Sequence, residues 1–180
     1  TATQVITVED KQNPTVTAPA AKTVSADAGS CTASNVSLGT PTTGDNCSVA
    51  SVTNNAPTTF PLGTTTVIWK VTDGSGNTAT ANQVITVEDK QNPTITAPAA
   101  KTVSADAGSC TASNVSLGTP TTGDNCSVAS VTNNAPTTFP LGTTTVIWKV
   151  TDGSGNTATA NQVITVEDKQ NPTITAPAAK

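Results

Sequence analysis

Apolar and polar residues alternate with a period of two over residues 64–72, Thr-Thr-Thr-Val-Ile-Trp-Lys-Val-Thr. This places Val67, Trp69 and Val71 on one face and Ile68, Lys70 and Thr72 on the other. Successive side chains of a strand point to opposite faces, so the spacing predicts a half-buried β-strand. Asp73-Gly-Ser-Gly-Asn77 follows as a tight turn. Residues 78–88 then return with Ala79, Ala81, Ile85 and Val87 facing inward. The two runs predict a hairpin anchored in the core by Trp69. Weaker alternation places earlier strands at 14–18, 22–26, 31–37 and 47–54, with Phe60-Pro61-Leu62-Gly63 leading into the hairpin.

Composition sharpens this picture. Threonine and valine are abundant and suit a pleated, half-buried surface, whereas the strong helix formers are scarce. The 12 glycines and 12 prolines fall between the Thr/Val runs as turn punctuation. Six or seven short strands per repeat predict an all-β chain of tandem immunoglobulin-like β-sandwich domains, strung into an extended rod.

Self-comparison sets the domain plan. Cys31 recurs as Cys110, Cys47 as Cys126 and Trp69 as Trp148, each 79 residues later. Residues 1–101 and 80–180 differ only at Thr3 against Asn82 and Val16 against Ile95. The expected division is residues 1–10 as the last strand of a preceding repeat, 11–89 and 90–168 as full repeats, and 169–180 as the start of a following one. Near-identical copies are the signature of an array in which each unit contacts its neighbours.

Four motifs, in order along each repeat, now carry a family resemblance. Asp-Asn-Cys (45–47), Phe-Pro-Leu-Gly-Thr-Thr-Thr-Val (60–67), Val-Thr-Asp-Gly-Ser-Gly-Asn (71–77) and Val-Glu-Asp-Lys-Gln-Asn-Pro-Thr (87–94) resemble the hyalin-repeat (HYR) domain. The tandem arrangement is similar to that in giant cell-surface adhesins of gliding Bacteroidetes-type bacteria. The resemblance implies an immunoglobulin-like fold, an extracellular location and a role in adhesion. A second cysteine pair often seen on the family's last hairpin is absent from this sequence.

Each repeat holds two cysteines and the chain holds no histidine and no CxxC, so zinc chemistry lacks its ligands. Disulfides in an oxidising compartment are the expectation for Cys31, Cys47, Cys110 and Cys126. Two connectivities stand open. Pairing within the repeat, Cys31–Cys47 and Cys110–Cys126, would contribute about 3 kcal/mol by closing a short loop. It would also require residues 39–46 to fold back along the sandwich. Pairing across a junction, such as Cys31 to Cys126, would avoid that demand.

The acidic residues avoid the strand cores. On an immunoglobulin-like topology the last hairpin's turn lies at the pole where the chain enters, together with the loop between the second and third strands. Glu9, Asp10, Asn13, Asp45 and Asp73 are therefore expected at one junction, and Glu88, Asp89, Asn92, Asp124 and Asp152 at the next. Glu167 and Asp168 would supply half of a third site. Carboxylates and amide oxygens gathered at one place are the ligand set of a hard cation, and Ca2+ is the expected structural ion. The plainer reading gives the same residues to turn formation and a polar linker.

Several functions fail on inventory. There is no His, Tyr or Met, and all eight basic residues are lysines against 12 acidic residues, for a net charge of −4. Without histidine, tyrosine or a Gly-rich phosphate loop opening a helix, no enzyme constellation forms. Without arginine and with aromatics at only 2%, nucleic-acid binding has neither phosphate clamps nor stacking platforms. No apolar run is long enough to span a bilayer as a helix. The expected partners are adjacent repeats of the same chain, with lateral or surface ligands such as glycan or matrix as further possibilities. The expected role is an extracellular, cell-surface or secreted filament or stalk, stiffened by five-residue linkers containing Pro14 or Pro93. The alternative is a multivalent adhesive module in which each repeat presents the same weak site to glycan or matrix.

Overall fold

A computed structural model of the chain describes residues 1–176; residues 177–180, part of the expected start of a following repeat, lie outside the described residues. The chain divides into two compact units, Thr1–Lys90 and Gln91–Lys180. Sixteen strands and no helix are found among the described residues, so the all-β expectation holds.

In the first unit, the predicted hairpin is the longest feature. β7 (Gly63–Asp73) and β8 (Thr78–Glu88) pair antiparallel from Gly63↔Val87 to Thr72↔Thr78. They form the centre of a four-stranded sheet ordered β2-β8-β7-β5. β5 (Val49–Asn54) joins β7 antiparallel, with a bulge between Val49 and Ser51. β2 (Lys22–Ser25) lies parallel to β8, from Lys22↔Ile85 to Ser25↔Glu88. The opposite layer consists of two short antiparallel pairs. One is β1 (Thr15–Thr17) with β4 (Thr42–Gly44), the other β3 (Thr32–Ser34) with β6 (Thr59–Pro61). The result is a sandwich.

Burial follows the predicted alternation. Val67, Val71 and Ile85 are fully buried and Trp69 and Val87 nearly so, while Ile68 on the opposite face is 43% exposed. Ala33 and Phe60 close the core from the other layer, with Val16, Val24 and Leu38 packed at its margin. Fully burying one such Val, Ile or Phe side chain contributes about 1.5–3 kcal/mol. The core is small but contiguous.

Gln83 also faces inward, between Ala81 and Ile85. It is 2% exposed, and its amide satisfies three partners. Its Oε1 accepts the Trp69 indole N–H at 3.1 Å, and its Nε2 donates to the carbonyls of Ala20 at 3.0 Å and Leu38 at 2.9 Å. Ala20 lies where the chain crosses from β1 in one layer to β2 in the other. The Ala20 carbonyl at that crossing, and that of Leu38 between β3 and β4, find their donor in the core.

The second unit repeats the plan strand for strand. β9 (Thr94–Thr96), β10 (Lys101–Ser104), β11 (Thr111–Ser113), β12 (Thr121–Gly123), β13 (Val128–Asn133), β14 (Thr138–Pro140), β15 (Gly142–Asp152) and β16 (Thr157–Glu167) take the places of β1 to β8. Gln162 reproduces the bonds of Gln83 to within 0.1 Å. Residues 1–8 repeat residues 80–87 of β8, with Thr3 in place of Asn82, but form no strand.

Each unit has two poles. At the upstream pole lie the β7–β8 turn, the β4–β5 loop and, through register, the start of β5 at Asp73. At the downstream pole lie the start of β7, the end of β8 and the start of β3, where the Leu62 N–H donates to the Cys31 carbonyl at 3.2 Å. β7 has 11 residues. At about 3.3 Å per residue the poles are about 33 Å apart.

Candidate metal centre

The β7–β8 turn is built around one carboxylate. Gly76 adopts φ +94°, a backbone conformation open to glycine, and this reverses the chain after Asp73. Oδ1 of Asp73 accepts the N–H groups of Ser75 at 2.9 Å and Asn77 at 2.8 Å, and Oδ2 accepts the Asn77 side-chain amide at 2.7 Å. Burial pushes the Asp73 carboxyl upward, but these bonds from Asn77 and Ser75, with one from Gly76, outweigh it and hold the group below its ordinary value. The anion is the stable form here.

Asp45 shapes the β4–β5 loop in the same manner. Its Oδ2 accepts the N–H groups of Cys47 and Ser48, both at 2.9 Å, an Asx turn that fixes the carboxylate. Asp10 comes from the linker before β1. Its Oδ1 accepts the Gln12 N–H at 3.0 Å and the Asn46 side-chain amide at 3.3 Å, and its main-chain carbonyl accepts the Asn77 amide at 3.2 Å.

Each of the two loop carboxylates thus has one oxygen held and one presented. Asp10 Oδ2 and Asp45 Oδ1 are buried and accept no hydrogen bond. Asp10, Asp45 and Asp73 each offer an oxygen within 4.8 Å of the others. Oxygens bound to one Ca2+ at about 2.3–2.6 Å lie no more than about 5 Å apart, so the spacing suits a shared ion. Buried carboxylate oxygens without donors are otherwise costly. Hard oxygen donors with no sulfur or nitrogen ligand required suit Ca2+ among the common cations.

The remaining predicted residues divide. Glu9 lines a shallow recess with Val8, Asp10 and Ser75, and its Oε2 pairs with Lys11 at 3.1 Å. Asn13 is exposed and is not among the converging carboxylates. Glu88 pairs with Lys90 at 3.0 Å, and Asp89 is buried at the end of the first unit. In the second unit Asn92 is exposed, whereas Asp124 and Asp152 repeat the local bonding of Asp45 and Asp73. Asp124 Oδ1 is likewise buried without a donor. Glu167 pairs with Lys169, and Asp168 Oδ1 accepts the Gln170 N–H.

Pairing within the repeat is corrected by the structure. Cys47 is an exposed free thiol while Cys31 is disulfide-bonded; Cys110 is an exposed free thiol while Cys126 is disulfide-bonded. The physical reason is the pole separation. Cys31 lies at the downstream pole beside Leu62, and Cys47 at the upstream pole beside Asp10. Disulfide-bonded residues have Cα atoms about 4.4–6.8 Å apart, a small fraction of the length of β7. A hydrogen bond to Asp10 and that residue's charge, with lesser effects of burial, Asp45 and Asp73, push the Cys47 thiol above its ordinary value.

Two features escaped sequence reasoning. Gln83 was legible in principle, since a polar residue at an inward position opposite a tryptophan signals a partner for the indole N–H. Gln170 was not: its Oε1 accepts the Gly108 N–H and its Nε2 donates to the Asp106 carbonyl, both at 2.9 Å. Nothing in a polar linker sequence marks that contact.

The family model of the HYR domain matches residues 9–87 and again residues 88–166. The chain belongs to the HYR domain family. Hyalin of Lytechinus variegatus is 34% identical to this HYR pair over 144 residues, covering 74% of the chain and 27% of that protein. Hyalin of Strongylocentrotus purpuratus is 33% identical over 113 residues, covering 59% and 9%. The HYR pair therefore spans about a quarter or less of the length of these relatives. Among solved structures, Drosophila N-cadherin EC1-4 aligns with a TM-score of 0.45 at 10% identity, over 88% of this chain and 50% of that one. Human protocadherin-24 EC1-2 aligns with a TM-score of 0.40 at 10% identity, over 82% and 95%.

Proposed function

We propose that this HYR pair is a structural segment of an extracellular fibre or stalk with an adhesive role, stiffened where one unit hands the chain to the next. The supporting observation is how the linker sequence Glu-Asp-Lys-Gln-Asn-Pro is fastened. In the first unit its aspartate, Asp10, is bound by Asn46 and Asn77 of the unit that follows it, and Pro14 is buried. In the second unit its glutamine, Gln170, is bound to the Asp106–Gly108 loop of the unit that precedes it. Each of these two copies of the linker sequence is held by the one folded unit beside it, which supports a linker that does not behave as a free tether. With about 35–45 Å per repeat, many copies would make a long spacer.

Ca2+ completes this reading. Asp10, Asp45 and Asp73 would hold it in the first unit, and Asp124 and Asp152 repeat the places of Asp45 and Asp73 in the second. The ion would neutralise three converging carboxylates, two of which come from the folded unit and one from the linker. Its binding would therefore stabilise the fold and fix the linker together.

Thermal melting of the chain with Ca2+ and with excess EDTA tests the proposal. At 100 times the dissociation constant a ligand stabilises by about 2.7 kcal/mol, which for a unit of this size raises the melting temperature by about 10 °C or more. Asp45→Asn should abolish the response of the first unit and leave that of the second. Identical melting in Ca2+ and EDTA would remove the cation from the reading. Small-angle scattering showing freely jointed units would remove the stiff spacer, and binding of the chain on a glycan array would favour the multivalent adhesive alternative.

A further inference from the structure

Each HYR unit carries the tripeptide Asn-X-Ser twice, at Asn35-Val-Ser37 and Asn46-Cys-Ser48 in the first unit and at Asn114-Val-Ser116 and Asn125-Cys-Ser127 in the second. This tripeptide is the acceptor sequence for N-linked oligosaccharides on surface loops of secreted proteins. The fold treats its two copies differently. Asn46 is engaged at the candidate metal centre, where its amide donates to Asp10 Oδ1 at 3.3 Å and to Cys47 Sγ at 3.4 Å, and the Ser48 N–H is held by Asp45. In the second unit the Asn125 amide donates to Cys126 Sγ at 3.4 Å, a sulfur already committed to a disulfide.

Asn35 and Ser37 stand otherwise. Both are exposed just after β3, while Val36 between them packs at the margin of the core, so the acceptor amide and the hydroxyl face outward together. Asn35 and Asn114 both have φ +51°, the only positive values outside glycine among the described residues. Asparagine is one of the few side chains that tolerate this left-handed conformation, and here it ends the strand in a turn. The Asn35 amide makes one long bond, to Ser34 Oγ at 3.4 Å, and Asn114 the equivalent at 3.5 Å. Lys22 Nζ donates to the Ser37 main-chain carbonyl at 2.9 Å, and Lys101 to that of Ser116 at 2.8 Å, so the segment is held by its backbone and not by the serine hydroxyl.

We propose that Asn35 and Asn114 carry N-linked oligosaccharides, one per unit at an interval of 79 residues, and that Asn46 and Asn125 do not. The inference rests on the extracellular location proposed above and needs no bound cation. The donor is an oligosaccharide carried on a polyprenyl diphosphate. The Asn35 side-chain nitrogen attacks the anomeric carbon of the first sugar. The bond from that carbon to the diphosphate oxygen breaks as the N–C bond forms, the diphosphate leaves with the electron pair, and the amide gives up one proton to the transferase. Nothing is oxidised or reduced. A glycan on every unit gives the array a hydrophilic coat at a fixed interval.

Secretion of the full 180-residue chain from a eukaryotic cell imposes the location and tests the acceptors alone. Peptide N-glycosidase should remove two glycans and convert Asn35 and Asn114 to aspartate in the peptides read by mass spectrometry. Occupancy at Asn46 and Asn125 should be at least several-fold lower. Ser37→Ala with Ser116→Ala keeps both asparagines in their turns and should abolish both glycans, whereas Ser37→Thr with Ser116→Thr should retain them. Melting temperatures confirm that each variant is folded. Bare Asn35 and Asn114, or equal occupancy at Asn46, would overturn the proposal. The same mass measurement on the protein from its own cells separates the two readings. Bare Asn35 on protein recovered outside the cell overturns the glycan alone, and protein confined to the cytosol overturns the extracellular reading and the glycan with it.

Discussion

At Gln83 a single side chain answers for three buried groups, and its removal should be felt accordingly. Gln83→Leu preserves approximate volume but strands the Trp69 N–H and the carbonyls of Ala20 and Leu38. An unsatisfied buried polar group costs about 1–3 kcal/mol, so the first unit should lose about 3 kcal/mol or more. Small domains hold only about 5–15 kcal/mol in total. Gln162 is unchanged in that variant and serves as an internal reference. Urea unfolding followed by tryptophan fluorescence should become biphasic, with the Trp69 transition moved to lower urea and the Trp148 transition in place. A single unshifted transition would show that water replaces the amide at no cost.

Among the elements, the β7–β8 hairpin was legible from alternation alone. Its eleven-residue arms give a period-two pattern room to repeat, and a glycine-rich turn separates them. β4 and β6 were not legible. Three residues cannot display a period, and Thr42–Gly44 reads as loop until β1 arrives from 29 residues upstream to pair with it. Long-range partners decide such strands. The candidate site was readable to the same depth. Asp45 and Asp73 sit on turns whose chemistry is local, so their convergence with Asp10 followed from topology. Glu9 and Asn13 were assigned by proximity in sequence, and extended backbone sends neighbours in different directions. The cysteine pairing stayed open between two connectivities because spacing in sequence says little about which pole a residue occupies. Hydrogen exchange should reproduce this hierarchy: amides of Val67, Trp69, Val71 and Ile85 exchange last, and those of the β1–β4 and β3–β6 pairs much earlier. Uniform protection across all strands would contradict it.

For the molecule as a whole, near-identity of the two units means that each solution is made twice. The internal bonds of Gln83 and Gln162, of Asp45 and Asp124, and of Asp73 and Asp152 match to a few tenths of an ångström or better. Sequence identity at this level places no private pocket on either copy, which fits a spacer better than a receptor. The parallel register of β2 with β8 has a consequence under tension. The chain enters a unit beside the β7–β8 turn and leaves it from the far end of β8, so a pull on the termini drags β2 and β8 along each other in opposite senses. Four register pairs from Lys22↔Ile85 to Ser25↔Glu88 then resist in shear, all at once, where a hairpin pulled open would peel one bond at a time. Single-molecule stretching should give rupture peaks at forces that fall sharply when Val24→Pro removes a ladder donor from β2, while the same proline at exposed Val52 leaves β2–β8 intact and lowers them less. A unit joined in this way would keep its length under load until the whole ladder gives at once.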